Sequence, residues 1–133
     1  MDKLISIIIP CYNEENNLDK ICKAVRQIMN EQSGYQYEML LVNDGSKDHT
    51  LQKMIALAGE DKNIRYYSFS RNFGKESAIY AGLSNAKGDY VVTMDADMQD
   101  PPELLPEMLS ILETGEYDSV AARRVSRKGE PPI

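Results

Sequence analysis

Five short runs of aliphatic and β-branched residues, at 4–9, 37–42, 64–69, 91–94 and 118–122, alternate with four stretches whose apolar residues recur at helical spacing. That alternation limits the fold more than any other feature of the chain. Strands separated by helices pair in parallel, with right-handed crossovers and helices on both faces of one sheet. The helical faces are Leu18, Ile21, Cys22, Val25, Ile28 and Met29; Leu51, Met54, Ile55 and Ala58; Ile79, Gly82, Leu83 and Ala86; and Leu104, Leu105, Met108, Leu109 and Leu112. The third face is made of small residues suited to close packing on a sheet. Pro10 is expected to end the first strand, because proline lacks a ladder donor. Gly34, Gly59, Gly88 and Gly115 are expected to close the helices and Ser46 to cap the second. Asp100-Pro101-Pro102-Glu103 has the spacing of a capping box opening the fourth. The expectation is a three-layer α/β/α domain around a mostly parallel sheet.

In such a sheet every strand-to-helix loop falls on the C-terminal edge, where ligands bind. The helix-to-strand turns are generic, whereas the strand-to-helix loops carry Tyr12, Glu14, Asp44, Arg71, Lys75, Asp95, Asp97 and Gln99. An inert scaffold has no need of that asymmetry. Its sharpest expression is Met94-Asp95-Ala96-Asp97-Met98-Gln99-Asp100, where an apolar run ends abruptly in three carboxylates and an amide. Like charges so close repel unless something positive sits between them, and a hard divalent cation prefers oxygen ligands. Asp95 and Asp97 are therefore read as ligands of Mg2+ or Mn2+, and Asp100 as the residue that opens the next helix. Tyr12 offers an aromatic face and Glu14 and Asp44 offer acceptors, which suit a base and ribose. Each also has an ordinary role, Tyr12 as a plug at the sheet end and Asp44 as a turn former before Gly45. Arg71 and Lys75 add positive charge that, with a metal, would neutralise a diphosphate. His49, the only histidine, reads as a surface residue.

Composition narrows the classes further. With 42% hydrophobic and 27% charged residues the chain resembles an ordinary globular domain, and a net charge of −6 argues against broad nucleic-acid binding. No window approaches a membrane span, and the N-terminus lacks a signal-peptide pattern. Cys11 and Cys22 have no metal-ligand spacing and read as reduced thiols of a cytoplasmic domain. The first loop has no G-x-G-x-x-G and the chain no Walker lysine motif, which disfavours a dinucleotide-dependent oxidoreductase. A phosphoryl-transfer enzyme would leave Tyr12 and Glu14 unexplained. A nucleotidyltransferase usually has a glycine-rich, basic first loop, unlike residues 10–16. A non-catalytic nucleotide-binding module remains a third alternative.

Four segments in order and at matching spacing resemble family 2 glycosyltransferases. They are Ser6-Ile7-Ile8-Ile9-Pro10-Cys11-Tyr12-Asn13-Glu14-Glu15, Leu41-Val42-Asn43-Asp44-Gly45-Ser46, Arg71-Asn72-Phe73-Gly74-Lys75, and Met94-Asp95-Ala96-Asp97-Met98-Gln99-Asp100-Pro101-Pro102-Glu103. The likeness is greatest to the polyprenyl-phosphate branch, the dolichyl-phosphate mannosyltransferases and bacterial undecaprenyl-phosphate glycosyltransferases. It implies a GT-A fold and a nucleotide diphosphate sugar, UDP- or GDP-linked, as donor. Pro10, Tyr12, Glu14 and Asp44 then fall at the base and ribose, and Lys75 near the donor. Asp95 and Asp97 fall at the metal–diphosphate centre, with Gln99 as a further metal ligand. Arg123 matches an arginine that faces phosphate near the acceptor, and Arg71 is grouped with it.

The implied reaction is transfer from the donor to a polyprenyl phosphate with inversion at the anomeric carbon. Such an acceptor is already an anion and needs no general base, whereas a saccharide hydroxyl, the alternative acceptor, would need one. The expected organisation is a nucleotide-sugar-binding domain at 1–122 followed by a basic, proline-ending tail at 123–133, the start of an acceptor region. Members of the branch continue well past this length, often with membrane-embedded helices. The chain thus reads as an N-terminal portion, truncated before the later acceptor-site elements, of a parent at the cytoplasmic face of a membrane. Uncovered apolar surface on such a portion would favour self-association.

Overall fold

A computed structural model describes residues 2–99, 101–114 and 119–121, the last three by their backbone. The elements follow in the order β1 (Lys3–Cys11), α1 (Leu18–Asn30), β2 (Tyr35–Asn43), α2 (Thr50–Glu60), β3 (Ile64–Ser68), α3 (Lys75–Asn85) and β4 (Tyr90–Thr93). A 3-10 turn (Pro102–Leu104) then leads into α4 (Leu105–Glu113), and β5 (Ser119–Ala121) follows. The five strands form one sheet in the order β3-β2-β1-β4-β5, and every pairing is parallel. The order reverses direction beside β1, so β1 and β4 diverge at their C-terminal ends into loops that lead opposite ways. That divergence opens a crevice at the sheet's edge, the place where ligands bind in open α/β sheets.

The β1 strand passes through Pro10 rather than stopping there, and Pro10 pairs with Val42. The reason lies in which neighbour each residue faces. Ile8 O accepts from Met94 N on the β4 side, whereas Cys11 O accepts from Asp44 N on the β2 side. By that alternation Pro10 faces β4, whose pairing with β1 has already ended at Thr93. The missing donor costs no ladder bond.

Alternate residues of the central strands feed two separate cores. Ile5, Ile7, Ile9, Met39, Leu41 and Val92 pack with the buried faces of α1, α2 and α4 in one continuous cluster. On the other face α3 lies against β1 and β2. Its Gly82 is so close to the sheet that a Cβ there would lie 2.5 Å from Ile8 Cγ2, which explains the small residues of this helix. Within α2 the inner positions are Thr50, Met54 and Leu57. Ile55, expected inside, is 48% exposed. On the outer side of α3, Phe73, Tyr80 and Leu83 are exposed.

The helix α4 lies over the same face as α1 but steps along the sheet in the opposite direction. Its crossover therefore has the opposite hand to those through α1, α2 and α3. This corrects the expectation of uniformly right-handed connections. The apolar face of Leu105, Met108, Leu109 and Leu112 joins the larger core, and the preceding 3-10 turn packs against α1.

Three glycines expected to close helices act elsewhere. Gly88 lies two residues beyond Ala86, the C-cap of α3, and its amide donates to Ser6 Oγ. Gly34 is not the cap of α1, whose C-cap is Glu31; with φ +85° it makes the turn into β2. Gly59 lies inside the last turn of α2. The readings of Asp100 and Gly115 lie outside the described residues. No helix among the described residues is long and apolar enough to cross a membrane.

Candidate active site

Backbone donors and short polar side chains lock the loops at the C-terminal edge to one another. The loop after β1 is fastened to the loop after β2 and the first residue of α2. Asn13 N donates to Ser46 Oγ (2.9 Å), Lys47 N to Asn13 Oδ1 (2.8 Å), Glu14 N to Thr50 Oγ1 (2.9 Å) and Glu15 N to Asp48 Oδ2 (3.2 Å). Asn13 takes φ +55°, a conformation asparagine tolerates better than most residues. Ser46 is therefore an inter-loop acceptor, not the cap of α2. The capping work falls to Asp48, whose Oδ1 accepts from both the amide and the hydroxyl of Thr50. Burial pushes the Asp48 carboxyl up, but the bonds from Thr50 and the Glu15 amide outweigh it and hold the group below its ordinary value.

Asp44 fastens the loop after β2 to the loop before α3. It is 4% exposed. Its Oδ1 accepts from Phe73 N (2.8 Å) and Gly74 N (3.2 Å), and its Oδ2 from Gly74 N (3.1 Å) and Asn72 Nδ2 (3.2 Å). Asp44 thus does more than form a turn. It lines the cleft while its carboxylate organises a neighbouring loop. Gly45 makes the close approach of the two loops possible: with φ +70°, a Cβ there would lie 2.1 Å from the Arg71 carbonyl carbon.

The exit of β4 supplies the acidic group. Ala96 is buried at 1% exposure and anchors the loop, while Asp95 and Asp97 on either side of it both line the cleft. Met98 turns the chain with φ +59°, and Asp97 Oδ1 accepts from Gln99 N at 3.2 Å. Lys75, the first residue of α3, reaches across so that its Nζ lies 2.5 Å from Asp95 Oδ1.

Pro10, Cys11, Tyr12, Glu14, Asp44, Lys75, Asp95, Ala96, Asp97 and Gln99 line one cleft. Of the residues read from the sequence as nucleotide, diphosphate or metal contacts, all but Arg71 are among them. Glu14 Oε1 accepts from Asn17 Nδ2 at 2.8 Å, and Tyr12 stands 42% exposed at the rim. Arg71 is not in the lining: its guanidinium lies 4.7 Å from the centroid of the Phe73 ring. Arg123 lies outside the described residues. Two contributions were not read from the sequence, namely the Cys11 position in the cleft and the inter-loop clamp through Asp48 and Thr50. The first follows from Cys11 being the last residue of β1, since alternation alone puts it on the core face with Ile5, Ile7 and Ile9; the second joins residues with no shared spacing pattern.

The donor set suits a hard divalent cation. Asp95, Asp97 and Gln99 offer two carboxylates and an amide oxygen on one five-residue loop, and Mg2+ and Mn2+ bind through few protein oxygens, completing their shell with water and phosphate. Among the described residues no third His, Cys, Asp or Glu joins the two carboxylates. The Lys75 ammonium beside Asp95 shows that this corner of the cleft accepts a cation.

A parallel sheet in the order 3-2-1-4-5, with an Asp-x-Asp loop where the order reverses, is the architecture of GT-A glycosyltransferases. The Mycobacterium tuberculosis glucosyl-3-phosphoglycerate synthase, solved with Mn2+, UDP and glucosyl-3-phosphoglycerate, matches with a TM-score of 0.66 and 26% identity over 86% of this chain and 41% of its own. The fold also matches mannosyltransferase PcManGT from Pyrobaculum calidifontis, solved with GDP-Man and Mn2+, with a TM-score of 0.69 and 23% identity over 84% of this chain and 33% of its own. The model of glycosyl transferase family 2 matches residues 6–132, and the chain belongs to that family. Among curated relatives, the putative glycosyltransferase CsbB of Bacillus subtilis is 47% identical over 127 residues, 96% of this chain and 38% of its own length. The bactoprenol glucosyl transferase of Shigella phage SfV is 42% identical over 123 residues, 92% of this chain and 39% of its own. The chain thus spans about two fifths of the length of these relatives.

Proposed function

We propose that these residues form the donor-binding half of an inverting, metal-dependent glycosyltransferase that passes a sugar from a nucleotide diphosphate to a polyprenyl phosphate. The observation that carries the reading is the convergence of Tyr12, Glu14, Asp44, Lys75, Asp95, Asp97 and Gln99, from four separate loops, on one cleft. Tyr12 and Glu14 at one end take the base and ribose. Asp44 closes that end and, by accepting from Asn72 Nδ2 and the Phe73 and Gly74 amides, fixes the start of α3. Lys75 at the other end meets the diphosphate. Asp95, Asp97 and Gln99 would hold Mg2+ or Mn2+, which offsets charge on the departing diphosphate.

The identity with a bactoprenol glucosyl transferase supports a polyprenyl phosphate as acceptor. Such an oxygen is ionised at neutral pH, so the reaction needs no base from the cleft. Its oxygen bonds to the anomeric carbon as the bond from that carbon to the diphosphate breaks, and the leaving electron pair stays on the diphosphate. The acceptor half of the site then belongs to the remainder of a membrane-associated parent, and Arg123 is assigned to it by resemblance alone.

Calorimetry of UDP and GDP, each with and without Mn2+, tests the donor reading. One nucleotide is expected to bind only when the metal is present, and Asp97→Ala to remove that dependence. Failure of both to bind at millimolar concentration with Mn2+ would refute it.

A further inference from the structure

We propose that Lys75 is a built-in counter-ion that occupies Asp95 until a diphosphate arrives, so that the cleft takes divalent cation and nucleotide together and binds the metal poorly alone. The inference rests on the donor-site reading above and adds a coupling between its two ligands.

Three observations carry it. The Asp95 carboxylate is largely covered, with 14% of its side chain exposed, and Lys75 Nζ lies 2.5 Å from it. A divalent ion entering between Asp95 and Asp97 would compete with the ammonium for the same oxygen and be repelled by it. Secondly, Lys75 sits where local rules disfavour it. It opens α3, a helix without a side-chain N-cap, and a cation at a helix N-terminus opposes the macrodipole. A residue that breaks a local preference at a cleft is expected where function retains it. Thirdly, the backbone on which Lys75 stands is fixed independently of its side chain. Asp44 grips the Phe73 and Gly74 amides, yet the Lys75 side chain is 51% exposed on a flexible four-carbon stem. The ammonium can therefore swing from Asp95 to a phosphate oxygen without any movement of α3.

A diphosphate relieves the conflict because it accepts both cations. It draws the ammonium away from Asp95 and itself supplies oxygens to the metal. By linkage, nucleotide then tightens metal binding by the same factor as metal tightens nucleotide binding.

The test is the fraction of Mn2+ bound to the 133-residue chain, read from the electron paramagnetic resonance signal of the free ion. It is measured with and without UDP or GDP and corrected for Mn2+ held by nucleotide in solution. Without nucleotide, Lys75→Met is expected to bind Mn2+ up to about fivefold more tightly than the parent chain, the scale of one partly exposed ion pair. Lys75→Arg, which keeps the charge, is expected to match the parent. The factor by which nucleotide tightens Mn2+ binding is expected to shrink in Lys75→Met. If Lys75→Met binds Mn2+ alone no more tightly than the parent while Asp97→Asn abolishes binding, the counter-ion role is overturned and the donor site stands. If Asp97→Asn leaves Mn2+ binding unchanged, the metal lies elsewhere and both readings fall.

Discussion

Replacing Asp44 by asparagine tests whether one buried carboxylate builds the cleft. The side chain accepts from Phe73 N, Gly74 N and Asn72 Nδ2, with the Gly74 amide shared between its two oxygens. Asparagine keeps one carbonyl oxygen and turns an NH2 group toward the remaining donors, so the bonds to one oxygen are lost. Hydrogen bonds to a charged group contribute about 1.5–3 kcal/mol each. Because Asn72 and Phe73 are exposed, water recovers part of the loss. The expected destabilisation is about 2–3 kcal/mol, or a fall in Tm of roughly 5–10 °C for a domain of this size. Urea and thermal unfolding give the global value. Amide hydrogen exchange gives the local one, and there Phe73 and Gly74 are expected to exchange at least about tenfold faster, since a factor of ten corresponds to ~1.4 kcal/mol of lost local stability. The substitution should also weaken Mn2+-dependent nucleotide binding, because Lys75 directly follows Gly74. An unchanged Tm together with unchanged exchange at both amides would show that Asp44 does not organise this loop.

Two further predictions concern groups to which the proposed reaction gives no role. Glu38, beneath α3, accepts from Ser6 Oγ (2.6 Å), Lys87 N (2.8 Å) and Arg65 Nη2 (2.7 Å). Burial pushes its carboxyl up, but these three partners outweigh burial and hold it below the ordinary glutamate value. Its stabilisation is thus fully present above the unfolded-state pKa of about 4.3 and is lost as pH falls through the lower folded value. Glu38→Gln should cost about 2 kcal/mol at pH 7 and flatten the loss of urea stability below pH ~4, as paired denaturation curves would reveal. Burial drives both thiols up, Cys22 to about 12, and for Cys11 the nearby Cys22, Glu14 and Asp48 add to the effect. Neither thiol is then a thiolate at neutral pH, although Cys11 lines the cleft. A chromogenic disulfide reagent should react with both only as fast as the chain unfolds, and rapid labelling of Cys11 in the native protein would contradict this.

Much of this architecture is legible in the sequence, because its causes are local. Period-two and period-3.6 patterns come from how side chains leave a strand or a helix, so the alternation of elements was legible. Parallel order follows from that alternation, and with it the side of the sheet on which Tyr12, Asp44, Lys75 and Asp95 must emerge. Where the reading failed, a tertiary neighbour outvoted a local signal. Pro10 stays in β1 because β4 has already left its side. Ile55 faces out and Leu57 in because the buried face of α2 is set by what it packs against, which the residue pattern does not specify. The hand of the last crossover was decided by the apolar face of α4 joining the core of α1.

The sequence by itself determined that the chemistry-bearing side chains emerge together at the C-terminal edge and which residue types stand there, since periodicity and topology are encoded along the chain. Only the tertiary structure decided how those residues are connected. Asp44 holds the 72–74 loop, Asp48 and Thr50 hold the first loop, and Lys75 reaches Asp95. Such pairings depend on the distance between loops far apart in sequence, and that distance exists only once the sheet has brought their strands side by side.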